Sequence, residues 1–271
     1  MPEVITSFKR IECKYLLSEE QKDRLLKVLQ EHMEFDPYCQ NGGHYDVKNI
    51  YFDDPNNDVI RDSMGKPLYK AKLRLRAYGG GDAPLFFLEL KKKFKGEVFK
   101  RRIALNDGEY ADFFSRQKLP EPNGDYMHDF VLKEIANWMV QYPGSLPQVV
   151  LQYDRIAMFN KADEPYLRVT IDGNITARRY NLDILEEGGH SLLGPRQYLL
   201  EAKIVSALPY WFTKALNALK IYRVTSSKYG IEYNQLLEAR LKVRAAERSV
   251  GPRLHEAVGK ELSDFFTKDL L

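Results

Sequence analysis

Polar and apolar positions alternate strictly along several stretches of the chain. Between Lys70 and Arg76, the residues Lys70, Lys72, Arg74 and Arg76 share one face of an extended segment and Ala71, Leu73 and Leu75 the other, because successive strand side chains point oppositely. Arg10, Glu12 and Lys14 oppose Ile11, Cys13 and Tyr15 in the same way. So do Glu89, Lys91 and Lys93 against Leu88 and Leu90, Arg168, Thr170 and Asp172 against Leu167, Val169 and Ile171, and Glu201 and Lys203 against Leu200, Ala202 and Ile204. Together with runs of aromatic and β-branched residues, this predicts strands over 7–17, 46–53, 67–78, 85–93, 97–105, 148–159, 166–178 and 197–205.

Helices are predicted between them. Ser18 with Gln21 forms a capping box ahead of Leu25, Leu26, Val28, Leu29 and Met33, Asp54-Pro55 reads as a cap with proline in the first turn, and Asn106 with Glu109 opens a third helix. Phe130, Val131, Ile135, Trp138 and Met139 mark the apolar stripe of a fourth, and further helices are expected over 209–220, 227–247 and 254–268. Breaks containing Gly or Pro at 79–84, 120–125 and 186–195 read as loops. No repeat or low-complexity linker divides the chain, so one α+β domain over 1–247 is expected. A C-terminal helical extension over 248–271 follows, packing on the domain through Leu254, Val258, Leu262, Phe265 and Phe266.

Each apolar strand face must be buried, and the amphipathic helices are the available partners. Two arrangements satisfy this. One is an open antiparallel sheet with helices on its apolar face and its charges in water. The other closes about eight strands into a barrel whose charged faces line a tunnel. Like charges two residues apart on a strand lie roughly 7 Å from each other and repel by about 2 kcal/mol at an effective dielectric of 20, so a closed tunnel would need anions to neutralise it.

Charge distribution sharpens the picture. The 271 residues carry 41 basic and 38 acidic side chains. Between Lys66 and Arg102, however, 12 basic residues face only Asp82, Glu89 and Glu97, a local +9 against −6 for the remainder. A basic concentration inside an otherwise acidic chain points to a polyanion held at a defined site. With 44% hydrophobic residues there is ample material for a core, which excludes disorder as a description of the whole. No run approaches the roughly 18 apolar residues of a membrane span, and the first residues lack a secretory pattern, so a cytoplasmic protein without direct membrane insertion is expected. Cys13 and Cys39 are too far apart for a C-x-x-C motif, and neither a disulfide nor zinc is expected. His32, His44, His128, His190 and His255 show no ligand spacing. P-loop, H-E-x-x-H and G-x-S-x-G signatures are missing, which removes the carriers of those chemistries.

One set of segments, taken in order, resembles a known family. Arg10-x-Glu12-x-Lys14, Lys72-x-Arg74-x-Arg76, Glu89-x-Lys91, Tyr153-Asp154-Arg155, Arg168-Val169-Thr170-Ile171-Asp172, Glu201-x-Lys203 and Ser226-Ser227-Lys228-Tyr229-Gly230, with the connecting Asn49-Ile50-Tyr51-Phe52-Asp53, are similar to the vacuolar transporter chaperone (VTC) domain. That domain is the polyphosphate polymerase branch of the triphosphate tunnel metalloenzymes. The resemblance implies a closed antiparallel tunnel of about eight strands with helices outside, overriding the open sheet. It implies ATP and inorganic polyphosphate as substrates and Mn²⁺ or Mg²⁺ as cofactor.

Residue by residue, the resemblance makes Lys14, Arg74, Arg76, Lys91, Arg155, Arg168 and Lys228 the catalytic phosphate ligands. Arg10, Lys72, Lys100, Arg101, Lys203 and Ser227 are additional phosphate contacts. Glu201 is the metal ligand, with Glu89 and Glu12 as helpers. Ser227 has a second reading as a helix cap, and Glu89 as a cross-strand ion-pair partner. Asp154 and Asp172 read as structural partners of arginines, and Lys92, Lys93 and Lys95 as a solvated edge. Arg178 and Arg179 read either as an extension of the phosphate path or as exposed loop charges. Hydrolytic relatives carry Glu-x-Glu-x-Lys on the first strand. Arg10 replaces the first glutamate here, which favours a chain-holding polymerase over a metal-rich triphosphatase. The regulatory domain and membrane helices of the eukaryotic members are missing, so coupling to transport would need a separate membrane partner. The alternatives are hydrolysis of tripolyphosphate or a nucleoside triphosphate in the same tunnel, and a non-catalytic polyphosphate or nucleic-acid binding module. Nucleic acid is disfavoured because the basic strand faces lack interleaved aromatic residues.

Overall fold

The computed structural model describes residues 11–39, 43–79, 84–95, 97–161, 166–225 and 227–249. Arg10, Ser226 and the stripe from Leu254 to Phe266 lie outside them. The strands are β1 (Ile11–Ser18), β2 (Met33–Phe35), β3 (Tyr45–Asp53), β4 (Tyr69–Tyr78), β5 (Leu85–Phe94), β6 (Glu97–Leu105), β7 (Leu146–Asn160), β8 (Leu167–Arg178), β9 (His190–Ser191), β10 (Gln197–Ile204) and β11 (Arg223–Val224). The helices are α1 (Glu19–His32), α2 (Asp58–Met64), α3 (Asp107–Arg116), α4 (Tyr126–Gln141), α5 (Tyr210–Ala218) and α6 (Lys228–Ser249).

Nine strands hydrogen-bond in the order β11-β1-β10-β8-β7-β3-β4-β5-β6, with β2 and β9 attached to β7 and β8. The pairs are antiparallel. The sheet curls enough for Lys91 of β5 to reach Glu12 of β1 at 3.3 Å. Among the described residues, however, no ladder joins β6 to β1 or β11, so the expected closed barrel is an open, curled half-barrel.

Burial follows the alternation. On the convex side, Ile50, Leu73, Leu75, Leu88, Leu90 and Ile103 pack with Phe113 of α3 and Val131, Ile135 and Trp138 of α4. A second layer joins Cys13, Tyr15, Val169, Ile171, Leu200 and Ala202 to Leu25 and Leu29 of α1 and Phe212 of α5. The third cluster lies on the concave side, where Tyr229, Tyr233 and Leu236 of α6 fill one end of the trough against Val47, Val149, Leu151, Ile175, Ala177 and Leu199. The strict alternation predicted for 166–178 breaks at this point. The β7–β8 register slips between Gln152 and Asp154, and Asn174 adopts φ 48°, a left-handed conformation that asparagine tolerates. The slip inverts the faces, so Asp172 upstream and Ile175 and Ala177 downstream all point into the trough.

Both capping boxes form as expected, at Ser18 with Gln21 and Asn106 with Glu109. Asp54-Pro55 does not start a helix. α2 begins at Asp58, after Asn57 in a left-handed conformation, and its free N–H groups at Val59 and Ile60 donate to the buried Asp53 carboxylate at 2.9 and 3.0 Å. Tyr229 Oη donates to the same carboxylate at 2.7 Å, which ties α6 to this turn.

Candidate functional site

The concave face gathers a set of basic side chains that includes Lys14, Lys72, Arg74, Arg76, Lys91, Lys100, Arg155, Lys203 and Lys228, around four carboxylates, Glu12, Glu89, Asp172 and Glu201. Strand parity puts all but Lys228 there, because each alternates with residues of the convex cores, and Lys228 enters from the start of α6. Three groupings result.

On β4 and β5, Arg74 donates from Nε and Nη2 to Glu89 Oε2 at 2.9 and 2.7 Å, Arg76 approaches the same oxygen at 3.7 Å, and Lys100 of β6 reaches Oε1 at 2.5 Å. Glu89 is fully buried. Burial works to raise its pKa, but Arg76, Lys100 and Arg74 hold it well below the usual carboxylate range. Neutral groups collar the arginines. Arg74 Nη1 donates to Tyr51 Oη at 2.9 Å, and Arg76 donates to Asn49 Oδ1, Tyr78 Oη and Tyr153 Oη at 2.8, 2.9 and 3.2 Å. These polar partners were not read from the sequence. Their signal was inward parity, since Asn49 and Tyr51 alternate on β3 and Tyr78 follows Arg76 by two positions.

In the middle of the trough, Asp172 of β8 takes a two-point contact from Arg155 of β7 at 2.7 and 2.8 Å. Lys228, the first residue of α6, approaches Asp172 at 2.5 Å and Glu201 at 3.5 Å. The expected structural role of Asp172 is what this geometry provides. Tyr153 links this grouping to the first, since Lys228 and Arg155 lie 4.5 and 5.1 Å from its ring centroid. Burial would raise its phenol, yet Arg155, Arg76 and Lys228 outweigh burial and pull it down to about 8.

Toward the sheet edge, Glu12 and Glu201 converge on Lys14 Nζ at 2.8 and 2.5 Å, Lys203 approaches Glu201 at 3.8 Å, and Lys91 reaches Glu12. Burial opposes ionisation of Glu201, but Lys14, Lys228 and Lys203 bring its pKa well down. Glu12 is likewise lowered, with Lys91 and Lys14 overcoming burial and the like charge of Glu201. Two ionised carboxylates aimed at one point make a hard oxygen donor set that suits Mn²⁺ or Mg²⁺ in place of the ammonium. Glu89, with its own three cations, shares none of these contacts.

Other expected site residues are placed differently. Arg101 lies on the convex side of β6 with Ile103 and Leu105. Its Nε is 3.3 Å from Glu134 of α4, a carboxylate that Lys92 also binds, so it cannot line the trough. Arg168 shares the concave face, in register with Lys203 and four residues before Asp172 along β8, but it pairs with Asp36 at 3.3 Å and lies over Phe159. Ser227 Oγ accepts from Gly230 N–H at 3.1 Å and acts as the cap of α6. Arg178 is neither a phosphate path nor an exposed charge. It is buried, and its guanidinium donates to the carbonyls of Asn181, Asp183, Glu186 and Gly188. Arg179 pairs with Glu232 and Asn57. Away from the trough, His44, Asp46 and Asp154 bring ligand atoms within 4.8 Å of one another, a grouping that His spacing did not reveal. The two aspartates also line a cavity of about 290 Å³.

A family model described as VTC domain matches residues 9–237. The chain belongs to the VTC-domain family. The match covers every strand of the VTC half-barrel and all three groupings of charge. Among solved structures, a Bacillus halodurans protein provisionally described as an adenylate cyclase is similar at 16% identity and TM-score 0.52, covering 81% of this chain and 94% of that one. The PH1819 protein from Pyrococcus horikoshii OT3 is similar at 12% identity and TM-score 0.43, covering 83% and 99%. At these identities the first likeness concerns the fold alone. No curated protein matches the chain. Among the described residues no helix is long and apolar enough to cross a membrane.

Proposed function

We propose that this VTC domain is a polyphosphate polymerase that transfers the γ-phosphoryl group of ATP to the end of an inorganic polyphosphate chain. The observation that carries the reading is the excess of cations over carboxylates on one concave face, where Arg76, Arg155 and Lys228 are buried. Every carboxylate there already has two or more cationic partners, so the remaining cations are left for an added polyanion to balance.

A terminal phosphate oxygen of the chain forms the new bond to the γ-phosphorus. The bond from that phosphorus to the β,γ-bridging oxygen breaks, and ADP leaves with the electron pair. The nucleophile is already ionised, so no strong base is required, and catalysis is positioning plus charge neutralisation. Arg74, Arg76 and Arg155 suit this role because guanidinium forks bind phosphate oxygens in pairs, while Lys14 and Lys228 are compact movable charges. Glu12 and Glu201 would hold the divalent cation, which supplies neutralisation of charge on the transferred group. The lone first-strand glutamate supports the polymerase over a hydrolase.

Incubation with ATP and Mn²⁺, followed by assay of ADP, free phosphate and long-chain polyphosphate, tests the reading. A polymerase yields ADP with polymer. Phosphate without polymer would mean a triphosphatase, and no turnover a binding module.

A further inference from the structure

At the far end of β4 and β5 the trough changes character. Lys70 stands directly opposite Lys93 and Lys72 opposite Lys91, so like charges are in register at two consecutive inward positions. Cross-strand pairing disfavours this arrangement. Among the described residues, no carboxylate lies within ion-pairing distance of Lys70, Lys72 or Lys93, and only Lys91 has one, in Glu12. Lys70 donates to the Ser63 carbonyl at 2.7 Å, and Lys72 lies 5.6 Å from the ring centroid of Tyr229, neither of which neutralises a charge. Burial, with Lys70 and Lys91 adding to it, brings Lys72 down to about 7. Burial, Lys93 and Lys91 also lower Lys70.

Residues two apart on a strand are separated by roughly 7 Å, and register partners by roughly 5 Å. One phosphate cannot touch all four ammonium groups of such a square, whereas a run of several can. The square also continues directly into Arg74 and Arg76 along β4. We propose that Lys70, Lys72, Lys91 and Lys93 form a second anion subsite that holds a phosphate chain beyond the phosphates taken by Arg74, Arg76 and Arg155. The subsite makes the protein prefer long chains to tripolyphosphate. This deepens the tunnel reading and rests on it for the direction of the chain.

The test is a Lys70→Gln/Lys93→Gln double variant, whose strands keep their packing through Ala71, Leu73 and Leu90 on the opposite face. Titration calorimetry of the full chain with tripolyphosphate and with long-chain polyphosphate should show long-chain affinity falling at least about ten-fold while tripolyphosphate affinity stays within about two-fold. Equal losses for both ligands, or none for either, would overturn the subsite. So would a single-stranded oligodeoxynucleotide of matched charge that binds wild type as tightly as long-chain polyphosphate and loses as much in the variant. If the double variant does not fold, Lys93→Gln alone, at an exposed position, carries the same comparison. The binding contrast decides the subsite even if wild type makes no polymer from ATP, so the two failures are distinguishable.

Discussion

Asp172 is the most informative single position to perturb. Its carboxylate is fully buried and engages Arg155 twice and Lys228 once. Burial alone would raise its pKa, but Arg155 and Lys228 lower it, so Asp172→Asn removes a real charge at neutral pH while keeping the volume. The variant leaves a buried guanidinium without its carboxylate and leaves Lys228 with Glu201 alone, at 3.5 Å. Breaking a buried pair by removing one partner costs about 3–5 kcal/mol. For a chain of this size that corresponds to a fall of about 6–20 °C in midpoint. Tripolyphosphate should narrow the gap, because its oxygens supply the negative charge that the substituted asparagine lacks, on top of the roughly 2.7 kcal/mol any ligand confers on both proteins at a hundred times its dissociation constant. The assay is thermal unfolding of wild type and variant at low salt, with and without tripolyphosphate. A gap of the same size in both conditions would refute the argument that Arg155 and Lys228 are anion receptors balanced by Asp172. So would a variant as stable as wild type without the anion.

Other outcomes follow from the same geometry. Arg74→Ala should lower turnover by at least about 100-fold, whereas Arg101→Ala should leave turnover within about two-fold and cost about 1–3 kcal/mol of stability through its largely buried contact with Glu134; steady-state kinetics on both variants would show the contrast, and equal losses would return Arg101 to the site. Glu201→Gln should impair divalent-dependent turnover more than polyphosphate affinity, and a metal titration matching wild type would make Glu201 structural. Stability without ligand should rise between about pH 7 and 10. Burial lowers Lys72 from 10.5 to about 7 and, against the pull of Glu201 and Glu12, Lys203 from 10.5 to about 8. In that window the unfolded chain binds more protons than the folded one, so raising pH favours the fold. Denaturant melts across the range should show the rise, and Lys72→Gln should flatten it; a slope of opposite sign would contradict the assignment.

Much of this was legible in the sequence because the strand period is two. The charged parity of 70–76, 89–93 and 201–203 identified the concave face, and the Ser18 and Asn106 boxes fixed two helix starts. The same rule, carried through β6, separates Lys100 and Arg102 from Arg101, whose neighbours at two-residue spacing are Phe99 and Ile103, so Lys100 and Arg101 cannot both be phosphate contacts on one face. What local pattern does not encode is where a ladder slips. The inversion at Asn174 moves Arg178 to the opposite face from Asp172, and its four carbonyl partners come from a loop with no periodicity. Asp53 as the acceptor for the start of α2 was hidden for a related reason. An aspartate five residues before a helix serves it only when the turn folds back. Whether the sheet closes depends on pairing between strands distant in sequence, on which alternation is silent.

The open ladder gives the trough an unusual kind of width. Hydrogen bonds set the spacing of strands within the sheet, but from β5 to β1 the span is made by side chains, with Lys91 meeting Glu12 at 3.3 Å. A partly exposed ion pair of this sort is worth about 1 kcal/mol or less, far weaker than a ladder, and it is the contact an incoming anion would compete for. A phosphate that took Lys91 from Glu12 would remove this contact between the two sides of the trough. The width at this point is thus set by charge rather than by backbone, and a ligand's negative charge would bear on it as much as its diameter.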